Sequence, residues 1–435
     1  MRTGYQWTIA VLAALATGSV SYALAKAPPR TVPNPAPSES RIRDLDIEFY
    51  LARVRRDPRS ARDYAQLAAL YLQRARETAD NGDLVRAEQI SRQSLSLRTS
   101  RNAVARGVLA SSLLAQHRFG DAREVARALL VEDSTSIAAR GLLAETELEL
   151  GEYGTAGRLL GALSTYRDNL SVAPRIARWQ ELHGQPQAAR QLLRTARDQA
   201  EQLHGIPAEQ LVWFDLRLGD LALRNGHLGE AEHELQKGLT KAPRDYRILG
   251  TLARLEADRH RWSLAIAYGE RAIATALDPA TLGIVGDSYR AMGDSARAAE
   301  YYHTMEVAVL QQPGPFHRAW SLFLLDHGRE VPRVLATVQD EIRSRHDIYG
   351  YDLLAWALHS AGDDRGAAVA MDSALSLGTR DAMLFYHAGM IARARGDQPG
   401  AAEYLGRALE VNPFWDPFQP KQARATLDSI AARAD

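Results

Sequence analysis

An all-α solenoid of about ten helix–turn–helix repeats is the fold this sequence predicts, and three observations predict it. The alanine of a Gly-x-x-x-x-Ala frame falls at Ala87, Ala122, Ala156, Ala189, Ala231, Ala265, Ala298, Ala367 and Ala401, with Arg333 in register between Ala298 and Ala367. The steps are 33 to 35 residues, with a single step of 42. Five residues ahead of these anchors stand Gly82, Gly151, Gly184, Gly226, Gly293, Gly328, Gly362 and Gly396, with His117 and His260 at the two other positions. Glycine tolerates the left-handed backbone that ends a helix, so each period reads as helix, tight turn, helix. Twelve residues before the anchor is another small residue: Ala110, Ala144, Ala177, Gly219, Ala253, Gly286, Ser321, Ala355 or Gly389. Two small residues facing one another let the paired helices approach closely, and a large one at either place would force them apart.

Taken in order, the chain begins with Arg2 and an apolar run from Trp7 to Ala16, and a small-x-small exit follows at Ala23-Leu24-Ala25. This arrangement fits a secretory signal cleaved after Ala25. The 19 residues from Trp7 to Ala25 also reach the lower limit for a membrane anchor, although Thr17, Gly18, Ser19 and Ser21 weaken that reading. Residues 1–25 are thus a signal peptide or an anchor. Either way the body of the protein is expected to be exported, to the periplasm or cell envelope, and to meet a membrane only through this segment. Residues 26–40 hold five prolines and predict an extended linker.

Residues 41–60 predict a capping helix, Arg41 to Asp57, stopped by Pro58. The repeat array then occupies residues 61–418. In the first repeat Ala68 takes the small position if the first helix carries about two extra turns. The 42-residue step lengthens the second helix of repeat four through Gln202, as an insertion or as a bend between two sub-stacks. Residues 419–435 predict a polar C-terminal helix that covers the last apolar face, as an open-ended array requires.

Composition removes several function classes. The chain has 435 residues, 53 basic and 53 acidic, and no cysteine. Charge balance gives no footing for nucleic-acid binding, and the missing cysteines exclude disulfides, thiolate catalysis and zinc–thiolate sites. The tightest histidine group, His227, Glu230 and His233, lacks the i,i+4 spacing of a helical metal site. The run GEYGTAGRLLG from Gly151 follows a helix, not the strand that a dinucleotide-binding loop needs. No catalytic residue, cofactor or metal is expected.

The 34-residue pattern resembles the tetratricopeptide repeat family. Phe385 to Pro413 (FYHAGMIARARGDQPGAAEYLGRALEVNP) and Asp215 to Pro243 (DLRLGDLALRNGHLGEAEHELQKGLTKAP) match it best, and the resemblance runs from Arg62 to Pro413. Repeat eight departs most, with Arg333 at the anchor. The resemblance implies a right-handed superhelical solenoid whose concave face is lined by the first helix of each repeat. It also implies lining residues three before, and one and four after, the small residue. Those positions, with Tyr349 one turn ahead of Asp352, give an arginine-leaning middle (Arg178, Glu181, Asp220, Arg254, Asp287, Arg290) and an aromatic C-terminal part (Tyr349, Asp352, Trp356, His359, Tyr386, Arg393).

Arginine and aromatic side chains carry much of the energy in binding sites, so Arg178, Asp220, Arg254, Asp287, Arg290, Tyr349, Trp356 and Tyr386 form the candidate partner-binding groove. A solvated charged face is the competing reading. Gly107, Gly141, Gly250 and Gly283 fall on the same face and leave room for a ligand, or permit close packing of the next repeat. The lysine–asparagine clamp that some relatives use for C-terminal carboxylates is missing. The expected function is a scaffold or adaptor that binds partner peptides or helices in the groove, in envelope assembly, secretion or export. The alternatives are an enzyme or metal-handling protein built on a solenoid, or a self-associating array.

Overall fold

The computed structural model describes residues 38–311 and 318–434; the expectations for residues 1–37 lie outside them. A leading helix α1 (Glu39–Arg56) is followed by helix pairs. These are α2 (Ala61–Thr78) with α3 (Asn81–Leu97), α4 (Ala103–Ala115) with α5 (Phe119–Glu132), and α6 (Ile137–Leu150) with α7 (Tyr153–Gly161). Next come α8 (Ala173–Leu182) with α9 (Pro186–Gln202), α10 (Ala208–Arg224) with α11 (Leu228–Lys241), and α12 (Tyr246–Asp258) with α13 (Trp262–Ile273). The second half has α14 (Pro279–Ala291) with α15 (Ser295–Gln311), α16 (Arg318–Asp326) with α17 (Val331–Glu341), α18 (Ile348–Ser360) with α19 (Asp364–Ala374), and α20 (Ala382–Ala394) with α21 (Gln398–Val411). The final helix is α22 (Gln419–Ala434). The described residues form an all-α repeat solenoid without strands, and no described helix is long and apolar enough to cross a membrane.

The helix ends follow from local chemistry. Side chains of Ser60, Ser136, Asp245, Asp278, Asp347 and Asp381 accept hydrogen bonds from otherwise unpaired N–H groups in the first turns of their helices. Within each repeat the turn is left-handed, for example at Gly151 (φ 85°) and Gly226 (φ 75°). The amide of Glu152 bonds to the carbonyl of Glu147, and that of Gly151 to Leu148. This paired closure satisfies the last carbonyls of the first helix. His117 and His260 adopt the same geometry (φ 57° and 59°) in place of glycine.

Two turns depart from the spacing. In repeat one the left-handed residue is Ala79 (φ 57°), and Gly82 lies inside α3. In repeat eight an extra left-handed residue, Glu330 (φ 52°), follows Gly328, so α17 starts one position late. Val334, fully buried, therefore takes the anchor position, and Arg333 turns outward to pair with Glu330.

The small positions pack as their size demands. Ala110, Ala144, Ala253 and Ala355 are completely buried, as are the anchors Ala122, Ala156, Ala231 and Ala367. Where the first position is glycine, the partner helix leans a large side chain into the space. A Cβ on Gly219 would lie 2.6 Å from Leu235, one on Gly286 2.4 Å from the Tyr302 ring, and one on Gly389 2.7 Å from Leu405.

The superhelix is wound so tightly that successive turns touch. The intra-repeat turn of repeat three meets the segment leading into α18: the His346 amide donates to Leu150 O (3.1 Å), and Ile348 donates to the Tyr153 hydroxyl (2.8 Å). One repeat later Thr379 Oγ1 donates to Leu182 O, and one later still Asn412 Nδ2 donates to Leu223 O (3.0 Å). His260 Nε2 then lies 2.9 Å from Pro417 O. Contacts thus join repeats three, four and five to positions six repeats downstream along one seam. At the N-terminal end Arg76 pairs with Glu209 at 2.8 Å, and Glu39 accepts from the Ala208 amide.

Candidate functional site

The first helices of the repeats face inward, and their charged side chains pair with one another. Glu181 accepts from Arg178 (2.9 Å) and Arg217 (3.1 Å) and is ion-paired with Arg224 at 2.9 Å. Burial alone would raise its carboxyl, but the guanidinium groups of Arg224, Arg178 and Arg217 overcome that and hold it well below the usual carboxylate range. Asp220 accepts from Arg217 (3.0 Å) and from Arg254 (3.1 Å). Arg224 also donates to the Tyr349 hydroxyl (2.9 Å) and reaches Asp381 at 3.5 Å, which bridges the first superhelical turn to the second.

The chain of contacts continues there. The guanidinium groups of Arg178 and Arg318 lie over the Tyr349 ring at 5.5 and 5.3 Å. Arg318 pairs with Asp352 at 2.6 Å, and Asp352 faces His387 Nδ1 at 2.7 Å. Burial works against ionisation of Asp352, but His387 and Arg318 outweigh it and lower its pKa.

Of the eight groove residues named from sequence, Arg178, Asp220, Arg254 and Tyr349 are joined in this chain of contacts, and most of the eight are not available to a partner. Asp220, Tyr349, Trp356 and Tyr386 are buried. Trp356 stacks on His387 (4.1 Å) and donates to Asp326, while the Tyr386 hydroxyl donates to Gln422 (2.8 Å). Arg178 and Arg254 are mostly buried in the ion pairs described, and Asp287 accepts from the Tyr302 hydroxyl at 2.6 Å. Arg290 is the exception, with 45 % of its side chain exposed. The open, solvated groove expected from the repeat frame is closed at these positions, because the second superhelical turn supplies partners to the first.

Arg290 stands in an exposed aromatic cluster. Its guanidinium lies over the ring of Phe418 at 5.6 Å, Phe418 stacks on Trp262 at 6.0 Å, and Trp262 stacks on His260 at 5.2 Å. Phe418 and Phe414 are 38 % and 40 % exposed. The cluster sits at the end of the seam, where repeats six and seven meet the segment before α22. Sequence reasoning missed Trp262 and Phe418. Trp262 opens the second helix of its repeat, away from the lining positions, and Phe418 lies after the last helix pair, just before α22.

The inner glycines divide. A Cβ on Gly141 would press on Arg175 at 3.3 Å, and one on Gly250 on Thr281 at 2.6 Å, so both permit close packing of the next repeat. Around Gly107 no atom lies within 4 Å of that position. Glu230, from the histidine group singled out in the sequence, is paired with Arg190 and Arg194. Among the described residues no group of three His, Cys, Asp or Glu side chains is placed to hold a metal ion.

Comparison with known proteins is consistent with the repeat frame. Residues 216–280 match a family model described as tetratricopeptide repeat. No curated protein sequence matches the chain. Among solved structures, similarity extends to yeast Tom70, with 13 % identity over 91 % of this chain and 93 % of that one at a TM-score of 0.37. The hetero-tetramer of the APC/C proteins Cut9 and Hcn1 contributes a match with 12 % identity over 90 % and 93 %, at 0.34. A tetratricopeptide repeat protein from Parabacteroides merdae shows 17 % identity over 56 % of this chain and 93 % of that one, at 0.37.

Proposed function

We infer that the protein is a scaffold that works by holding protein partners, a reading supported by the all-α repeat solenoid of the described residues and by the tetratricopeptide repeat match at residues 216–280. The observation that carries the reading is the stack of His260, half-buried Trp262, Phe418 and Arg290 at the end of the seam, whose His260, Phe418 and Arg290 members are exposed. Tryptophan and arginine dominate binding hot spots because one side chain offers wide apolar area together with a directional polar group. A partner segment that presents an apolar side chain to Trp262 and Phe418, and an acidic group to Arg290, fits this surface. The inner ladder of ion pairs then serves to hold the coil in shape rather than to receive the partner.

The same reading places the scaffold on the exported side of a membrane, in envelope assembly, secretion or export, on the strength of the N-terminal apolar run. Crosslinking in the native host and affinity capture of the tagged full-length chain test both parts. A stoichiometric envelope partner that is lost in a Trp262→Ala/Arg290→Glu variant of unchanged helical circular dichroism supports the scaffold. Recovery of the protein alone overturns it in favour of self-association. A mature N-terminus at Lys26 supports export with cleavage; an intact Met1 in the cytoplasmic fraction refutes export.

A further inference from the structure

Between the two superhelical turns runs a small cleft with room for about one water-sized group. Arg224, Arg254 and Asp258, at the ends of α10 and α12, form one wall; Asp381, Met383 and Trp415, from the second turn, form the other. The charges in these walls are unequally satisfied. Arg254 is committed to Asp220, and Arg224 to Glu181 and the Tyr349 hydroxyl. Asp381 Oδ1 caps α20 by accepting from the amides of Met383 and Leu384, and its Oδ2 has only a long contact with Arg224 at 3.5 Å. Asp258 is only 4 % exposed, and its Oδ1 has no hydrogen-bond partner. A buried carboxylate oxygen without a partner is costly, and either a proton or a cation relieves the cost. Burial, with the nearby charge of Asp416 adding to it and Arg254 opposing, pushes the Asp258 carboxyl up to about 8.

We propose that this cleft binds a primary ammonium group, a lysine side chain or a free amino terminus, with Asp258 as its counter-charge and Asp381 as a second acceptor. The space suits a compact tetrahedral head better than a planar guanidinium. Met383 offers apolar contact to a methylene stem, and Trp415 lines the same wall. The ammonium takes the place of the proton that Asp258 otherwise holds, and because the two carboxylates come from different superhelical turns, a bound ammonium would tie the turns together. The inference deepens the scaffold reading and rests on it for the source of the amine, a partner protein, but the chemistry of the cleft is testable without a partner.

The test is thermal unfolding of the isolated full-length protein in titrations of n-butylammonium, which mimics lysine, and glycinamide, which mimics an amino terminus. Tetramethylammonium and guanidinium at equal ionic strength are the controls. A saturable rise in Tm with butylammonium or glycinamide, at least tenfold weaker in potency for the controls and for Asp258→Asn, is the expected result. The stronger of the two amines identifies the source. An equal response to tetramethylammonium, or an undiminished response in folded Asp258→Asn, overturns the proposal. Should Asp258→Asn fail to fold, the selectivity among amines on the native protein decides alone. Failure to capture a partner leaves this result standing, and absence of an amine response overturns the cleft assignment even where capture succeeds.

Discussion

Replacing Gly184 or Gly151 by alanine should damage the protein far more than the same change at Gly362 or Gly396, although all four glycines are left-handed (φ 68°, 85°, 85° and 80°). Alanine at any of them meets the ordinary left-handed penalty of about 1–2 kcal/mol. At Gly362 and Gly396 nothing lies within 4 Å of the new Cβ, so the loss stops there. At Gly184 the Cβ would lie 2.5 Å from the carbonyl oxygen of Gly378, and at Gly151 2.5 Å from the carbonyl of His346. Ordinary contact needs about 1 Å more, and the obstacle is backbone, which cannot swing aside. The two superhelical turns must separate locally, which loosens the bond from His346 to Leu150 or from Thr379 to Leu182. Each such bond contributes about 0.5–1.5 kcal/mol, so the seam variants should lose at least about 0.5–1.5 kcal/mol beyond the controls. Urea unfolding measures the total, and hydrogen exchange at the His346 and Ile348 amides locates it. Equal losses at all four sites, or unchanged exchange at His346 in Gly151→Ala, would refute the claim that the turns are in contact.

Other expectations follow from the interior. Asp258 has a raised carboxyl pKa, so the folded state holds a proton there that the unfolded chain has released. Stability therefore falls as pH rises from about 4 to about 8, by at most about 1.4 kcal/mol per unit for this group, and Asp258→Asn should flatten that slope in unfolding curves taken across the window. Glu181→Gln leaves Arg178, Arg217 and Arg224 without their shared anion and should cost about 3–5 kcal/mol, with little relief from added salt in the buried setting. A loss below 1 kcal/mol would mean that the ladder contributes little to the coil. Gly286→Ala drives a Cβ into the Tyr302 ring and should cost about 1–3 kcal/mol. In a double-mutant cycle most of that loss should vanish on a Tyr302→Leu background, and strict additivity would contradict the packing account.

The repeat frame was legible because it rests on local requirements. A left-handed turn wants glycine, and a close helix crossing wants a small side chain, so the positions of Gly226 and Ala231 can be read one residue at a time. Where the structure departs, a local substitute did the same job. Ala79 makes the first turn although Gly82 stands nearby, and Glu330 slips repeat eight by one so that Val334 replaces Arg333 at the anchor. The site was legible only in part. Sequence placed Arg178, Asp220 and Tyr349 on the inner face, but their fate depends on how closely the second superhelical turn approaches the first. That approach sums small rotations over six repeats, and no short pattern encodes the sum. The pairing of Arg224 with Tyr349, 125 residues away, and the isolation of Asp258 are products of it.

The six-repeat register of the seam also limits how such a chain can be made and altered. In an open array each unit answers only to its neighbours, so units can be duplicated or deleted and the rest endures. Here Leu150 must meet His346, Leu182 must meet Thr379 and Leu223 must meet Asn412. Insertion or loss of one unit between them would put every left-handed glycine of the seam opposite the wrong backbone. During synthesis the early repeats can form as they emerge, but their turns stay uncovered until nearly two hundred further residues have been added. The number of repeats is thereby counted by the molecule itself, as the number of links is fixed in a chain that must fasten to its own middle.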